Sequence, residues 1–202
     1  MFRIDDHMSP KSNSACLKTV NVGFDGAGKT CLYHTFAWNK FPGDFIPTIF
    51  ECYVHNFVIE GESVDLGFWD THCGENDEYV ELTRIYYHDA DVFTICFDVS
   101  NREVFPKIKD FWVDTELRPL NPKAPIILVA TKIDLRDGDC ETISKESGER
   151  LAEEIGAAGY FEVSSLKMVG LNELFNFVCA AGLKYRSETQ NSLKAHKICD
   201  IL

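Results

Sequence analysis

The segment Gly23-Phe24-Asp25-Gly26-Ala27-Gly28-Lys29-Thr30 fits the pattern G-x-x-x-x-G-K-[ST] at every fixed position. Those residue types in that order suit phosphate. Glycines let the backbone curl so that successive N–H groups converge on anionic oxygens. Lys29 adds a compact positive charge for the β- and γ-phosphates, and the partial positive end of a following helix adds to it. The Thr30 hydroxyl is a hard oxygen of the kind Mg²⁺ accepts. Asp25, Gly26, Ala27, Gly28, Lys29, Thr30 and Cys31 are therefore the candidate phosphate cradle.

Such a loop alone does not separate a kinase from other nucleotide-using proteins. Three later segments narrow the choice. Trp69-Asp70-Thr71 puts a carboxylate at a strand end, where it can hold Mg²⁺ through a water. Thr131-Lys132-Ile133-Asp134, with Leu135 after it, follows the next buried strand but one. The Asp134 carboxylate can accept both N–H groups of a guanine edge, which adenine does not offer. Ser164-Ser165-Leu166 follows a later strand and can supply a backbone contact to the base. A short tetrad or dipeptide is commonplace alone; four segments in this order, each at a strand end, are not.

The elements that must position them read as alternating strands and helices. Apolar Leu17, Val20 and Val22 make a first strand, and residues 29–38 a first helix. Residues 53–59 and 64–69 form a hairpin over Glu60-Gly61-Glu62-Ser63. Buried strands recur at 92–97 and 126–130, with helices over 102–117, 144–155 and 171–185. The pattern predicts a three-layer α/β fold: a six-stranded, mainly parallel sheet with one antiparallel edge strand and helices on both faces. Residues 1–16 read as a flexible leader, 17–186 as the nucleotide-binding domain, and 187–202 as a flexible tail without periodicity.

Composition excludes other classes. The net charge of −12 argues against nucleic acid as a partner. It is unevenly spread, since Lys184, Arg186, Lys194 and Lys197 outnumber Glu188 and Asp200 in the tail. The apolar run 126–130 is far short of the roughly 20 residues a membrane span needs. The cysteines contain no C-x-x-C pair, no zinc spacing and no secretory context, so most are expected to be reduced, partly buried thiols, Cys199 being the exception. No G-x-S-x-G elbow supports a hydrolase triad. His34, His55, His72 and His88 are isolated. Glu146, Glu149, Arg150, Glu153 and Glu154 read as the solvated face of a helix. A P-loop kinase of small metabolites is disfavoured, because no Arg-rich lid segment follows and Asp134 points to guanine.

From Leu17 to Tyr185 the chain resembles the Ras superfamily and, within it, the Rho family of P-loop NTPases. The likeness rests on the P-loop, Phe41-Pro42-Gly43-Asp44-Phe45-Ile46-Pro47-Thr48-Ile49-Phe50-Glu51 as switch I, the stretches Phe111-Trp112-Val113 and 124–129, and Thr131-Lys132-Ile133-Asp134-Leu135-Arg136. It resumes at Cys199-Asp200-Ile201-Leu202. The resemblance implies a GDP/GTP switch. Thr48 would join Thr30 as a protein ligand of Mg²⁺, Phe41 would pack edge-on against the base, and Lys132 would stack along it. Effector proteins would dock on switches I and II. An exchange factor, an activating protein and a dissociation inhibitor of the Rho type would regulate the cycle. The final four residues form a C-a-a-X pattern whose Leu favours geranylgeranylation of Cys199. That modification implies the cytoplasmic face of the plasma membrane, with a cytosolic pool, and cytoskeletal signalling by analogy.

The departures concern hydrolysis. Asp25 stands where Rho proteins carry their second P-loop glycine, although the Arf family resembles G-x-D-x-A-G-K-T there. Asp70-Thr71-His72-Cys73-Gly74-Glu75-Asn76 stands where the family reads D-T-A-G-Q-E. Gly74, Glu75 or Asn76 takes the place of the water-orienting glutamine, and the only Gln of the chain is Gln190. With Lys29 and Thr48, Gly74 and Glu75 are the candidate catalytic residues. Slow hydrolysis is expected, the alternative being a constitutively GTP-bound binding module. Phe45 replaces the switch I tyrosine, and the usual Rho insert after the guanine motif has no counterpart before the helix from 144.

Overall fold

The structure, a computed structural model, describes residues 15–43, 50–59, 62–71, 83–138 and 141–199. Among these residues, six strands fall where the apolar runs require them: β1 (Ala15–Val22), β2 (Phe50–Ile59), β3 (Glu62–Thr71), β4 (Val92–Asp98), β5 (Ile126–Thr131) and β6 (Gly159–Glu162). They form one sheet in the order β2-β3-β1-β4-β5-β6. Among the described strands only the β2–β3 pair is antiparallel, and it puts β2 at the edge. Residues of β4 and β5 are buried almost throughout, as their unbroken apolar runs demand.

Among the described residues, four helices cover the two faces: α1 (Lys29–Trp38), α2 (Ile108–Leu117, running on through Arg118–Leu120), α3 (Lys145–Glu154) and α4 (Leu171–Cys199). Leu32 and Tyr33 of α1 and Leu174, Phe175 and Val178 of α4 pack with Leu17 and Phe68 on one face. Trp112 and Leu117 of α2 and Leu151 of α3 pack with Val20, Ile95 and Leu128 on the other. In α3, Gly148, Leu151 and Ala152 turn inward, while Glu146, Glu149, Arg150, Glu153 and Glu154 are exposed. The Ser144 hydroxyl caps that helix by accepting from Ser147 N.

Several boundaries differ from the sequence reading. β2 starts at Phe50 rather than 53, and β3 runs Glu62–Thr71 rather than 64–69, taking in Glu62 and Ser63 of the expected turn. Three further differences have a clear cause. First, β1 starts at Ala15 and so takes in the last two residues of the expected leader. Ala15 and Cys16 extend the pairing with Val64 and Asp65, which the apolar pattern from Leu17 does not announce. Second, the helix expected over 102–117 begins at Ile108. Residues 102–106 are turns, closed by Val104 N donating to Asn101 Oδ1 at 3.3 Å. Beyond them α2 is wide, with i→i+5 bonds such as Arg118 N to Val113 O. Third, the stretch expected to be flexible from 187 stays helical to Cys199. Residues 187–199 contain neither Gly nor Pro, so no residue stops the helix that α4 has already nucleated.

Candidate functional site

The C-terminal ends of β1, β3, β4 and β5 lie side by side, because parallel pairing sets Asn21 against Asp70 and Thr94, and Asp98 against Thr131. In sheets of this kind that edge is where ligands bind. The P-loop leaves β1 there and makes a close approach to β4. A Cβ built at Gly23 would stand 2.3 Å from Cys96 O, so this position admits glycine alone. Gly28 has φ 78° and forms the N-cap of α1, which turns the first N–H groups of the helix toward the loop.

Lys29 is buried, and its ammonium donates to Gly23 O at 2.7 Å and Phe24 O at 3.4 Å. The charge thus sits inside the curl of the loop. Thr30 Oγ1 donates to Asp70 Oδ2 at 2.5 Å, and Asp70 is only 1% exposed. A hydroxyl and a buried carboxylate held this close are both hard oxygen donors, the set that fits Mg²⁺. Asp25 and Gly26 are exposed on the outer turn of the loop. Cys31 is half-buried, and burial above all raises its thiol pKa, against the nearby Lys132 ammonium.

The second half of the site is tied to the first. Thr131 Oγ1 lies 2.7 Å from Ala27 O and 3.0 Å from Phe97 O, joining the end of β5 to the P-loop. Lys132 has a left-handed backbone, φ 57°, and begins the short 3-10 turn Ile133–Asp137. Ser164 Oγ donates to Asp134 Oδ1, which brings the third and fourth sequence segments together. Ser164 is itself fixed by reciprocal backbone bonds with Val169 at 3.1 and 3.0 Å, and its hydroxyl accepts from Lys167 N at 3.0 Å. Leu135 and Leu166 are 36% and 58% exposed, an apolar rim on either side of Asp134. Ser165 lies between Ser164 and Leu166 in the same turn. Phe41 is 36% exposed just beyond the left-handed C-cap of α1 at Asn39.

Behind the guanine loop, Arg136 bonds Ile143 O and pairs with Glu162 Oε1 at 2.8 Å. Tyr160 also donates to Glu162 Oε1, at 2.7 Å. Burial raises the Glu162 pKa, but these two partners outweigh it and hold the carboxyl below its ordinary value.

The structure therefore brings together Asp25 to Cys31, Asp70, Thr131 to Leu135 and Ser164 to Leu166. Phe45, Thr48, Gly74 and Glu75 lie outside the described residues. Cys199 is the last residue of α4. Among the described residues, no three His, Cys, Asp or Glu side chains form a metal-binding group, and the cysteines are unbridged.

Two contributors escape the sequence reading. Asp98 ends β4 and receives the Lys132 ammonium at 2.8 Å. Phe24, inside the P-loop, is 7% exposed and packs 5.7 Å from the rings of Phe111 and Trp112 of α2. The signal for Asp98 was present, since it is a carboxylate ending a buried strand as Asp70 is. Among known families, a model described as the Ras family matches residues 18–183 of the chain.

Proposed function

Because the chain belongs to the Ras family of small GTPases, we propose that it is a Rho-like, membrane-tethered switch whose GTP hydrolysis is slow. Membership carries the general activity: guanine-nucleotide binding, typically with Mg²⁺, GTP hydrolysis, and exchange of signals with regulators and effectors. Bound nucleotide would supply the phosphoanhydride that is cleaved and Mg²⁺ its charge neutralisation. The chain's own residues do the holding. Lys29 and the Gly28 N-terminus of α1 would receive the phosphates, Thr30 would hold the metal directly and Asp70 through a water, and Asp134 would accept from the base edge.

One observation carries the guanine assignment: the P-loop and the Asp134 loop are bonded into one unit through Thr131 and Ala27. The Rho character is supported by the sequence around 41–51 and 131–136. Slow hydrolysis is supported by Asp25, an exposed carboxylate on the loop that must face the γ-phosphate. It repels that charge and narrows the path of an activating arginine, a residue worth on the order of 10³–10⁵ in rate. The missing glutamine around Gly74 and Glu75 points the same way. The same residue favours a second reading, in which the protein holds GTP without cycling.

Geranylgeranylation of Cys199 would tether the chain to the cytoplasmic face of the plasma membrane. The basic support in Lys194 and Lys197 is thin, so the tether is reversible and a dissociation inhibitor of the Rho type keeps a cytosolic pool. Single-turnover phosphate release from preloaded GTP, alone and with a Rho-type activating protein, tests the hydrolysis reading. Rates typical of a cycling Rho protein overturn it. An Asp25→Gly variant no faster than wild type overturns its mechanism.

A further inference from the structure

We propose that Asp98 is a positioning residue for nucleotide retention, acting through Lys132. The inference rests on the guanine-nucleotide reading above and adds a residue that the P-loop and guanine motifs do not contain.

Asp98 stands at the C-terminal end of β4, directly opposite Thr131 of β5. Its carboxylate is fixed on both oxygens. Oδ1 accepts from Ser100 N at 2.8 Å and from Ser100 Oγ at 2.7 Å, while Oδ2 accepts from Lys132 Nζ at 2.8 Å. The Asp98 side chain is 13% exposed against 41% for Lys132, so the acid is the anchored partner and the lysine the recruited one. Burial works against the ionised acid, yet the Lys132 and Ser100 hydrogen bonds prevail and lower its pKa.

The route of Lys132 gives the pair its consequence. From a left-handed backbone the side chain crosses the P-loop, with Cε 3.7 Å from where a Cβ would stand on Gly28. The stem is then a strap from β5, over the N-cap of α1, to β4. Asp98 also lines the hollow beside the loop with Phe24, Asp25 and Ala27. Without the carboxylate, the ammonium has no fixed end and the strap loses its course beside the base and phosphate sites. A long side chain held by one charge-assisted bond is set by that bond.

The test is a double-mutant cycle on release of fluorescent GDP at constant salt, with thermal midpoints recorded for every variant. Lys132→Met keeps the apolar stem and removes the charge; Asp98→Asn keeps the shape and removes the charge. Asp98→Ala and Asp98→Asn are expected to release GDP about tenfold faster than wild type, the loss of one hydrogen bond to a charged group. In the Lys132→Met background, Asp98→Ala is expected to add no further acceleration. A purely structural role for Asp98 would instead act equally in both backgrounds. Release at the wild-type rate, or the same acceleration with and without the Lys132 charge, overturns the proposal. If Asp98→Ala does not fold, Asp98→Asn carries the comparison. If wild type holds no guanine nucleotide, the functional reading fails first, and the proposal with it.

Discussion

Arg84 donates two hydrogen bonds to Glu116, from Nε at 2.9 Å and from Nη2 at 2.7 Å. Glu116 belongs to α2 and is 2% exposed, whereas Arg84 lies in the segment that leads into β4. The fork fixes that segment to the helix with two-point geometry. Removing the arginine leaves a buried carboxylate without its counter-charge. Arg84→Ala is expected to cost about 3 kcal/mol, the range for breaking a buried pair from one side. Urea unfolding at neutral pH measures it. A loss within error of zero would show that solvent replaces the guanidinium.

Gly23 and Gly26 separate steric fit from backbone conformation. A Cβ at Gly23 meets Cys96 O at 2.3 Å, while at Gly26, with φ 76°, nothing lies within 4 Å. Gly26→Ala is therefore expected to cost about 1 kcal/mol, the left-handed penalty alone. Gly23→Ala must push the loop off β4, and should lower the thermal midpoint further and abolish nucleotide retention. Equal midpoints for the two variants contradict the close approach.

The Thr30–Asp70 contact predicts how Mg²⁺ enters. Chelation by EDTA is expected to speed GDP release from wild type. In Asp70→Ala release should already be fast, and EDTA should add little. A variant that still responds to EDTA as wild type does would remove Asp70 from the metal site.

Glu162 gives the acid side of stability a defined origin. Its folded pKa lies below the unfolded value, with burial outweighed by Arg136 and Tyr160. The carboxylate thus stabilises the fold above the ordinary carboxylate range. That contribution is lost as pH falls through the folded value. Glu162→Gln should flatten the urea midpoint against pH below that range. An unchanged slope assigns acid sensitivity elsewhere.

Much of this site was legible because its parts are local. Gly23 to Thr30 and Thr131 to Asp134 each fit within a few residues, and runs such as 92–97 and 126–130 announce the strands that carry them. Contacts that cross the sheet were not legible. Lys132 meets Asp98 across 34 positions, and Ser164 meets Asp134 across 30. Pairing of that kind is set by strand register, which no local pattern encodes. The late start of α2 has a local cause. Pro106 lacks the N–H a continuing helix needs and keeps Phe105 from helical geometry, and the Asn101 side chain takes the Val104 N–H and favours a turn. At the other end, polar residues after 186 looked aperiodic, yet the absence of Gly and Pro lets α4 continue.

The tether predicts a fractionation result. Cys199→Ser should move the protein from membranes to the soluble fraction, and wild type should detach more readily at high salt. Equal membrane residence of the two proteins contradicts the lipid anchor.

The most direct test of the account is competition for bound fluorescent GDP. A site whose carboxylate pairs with a base edge rejects the wrong base, because adenine offers Asp134 no matching pair of N–H donors to add to the hydroxyl it receives from Ser164. GTP is expected to displace the probe near stoichiometry, while ATP should need on the order of 10⁴-fold more. Asp134→Ala should lose both affinity and that discrimination. Equal displacement by ATP and GTP from the wild-type protein would contradict the guanine switch outright.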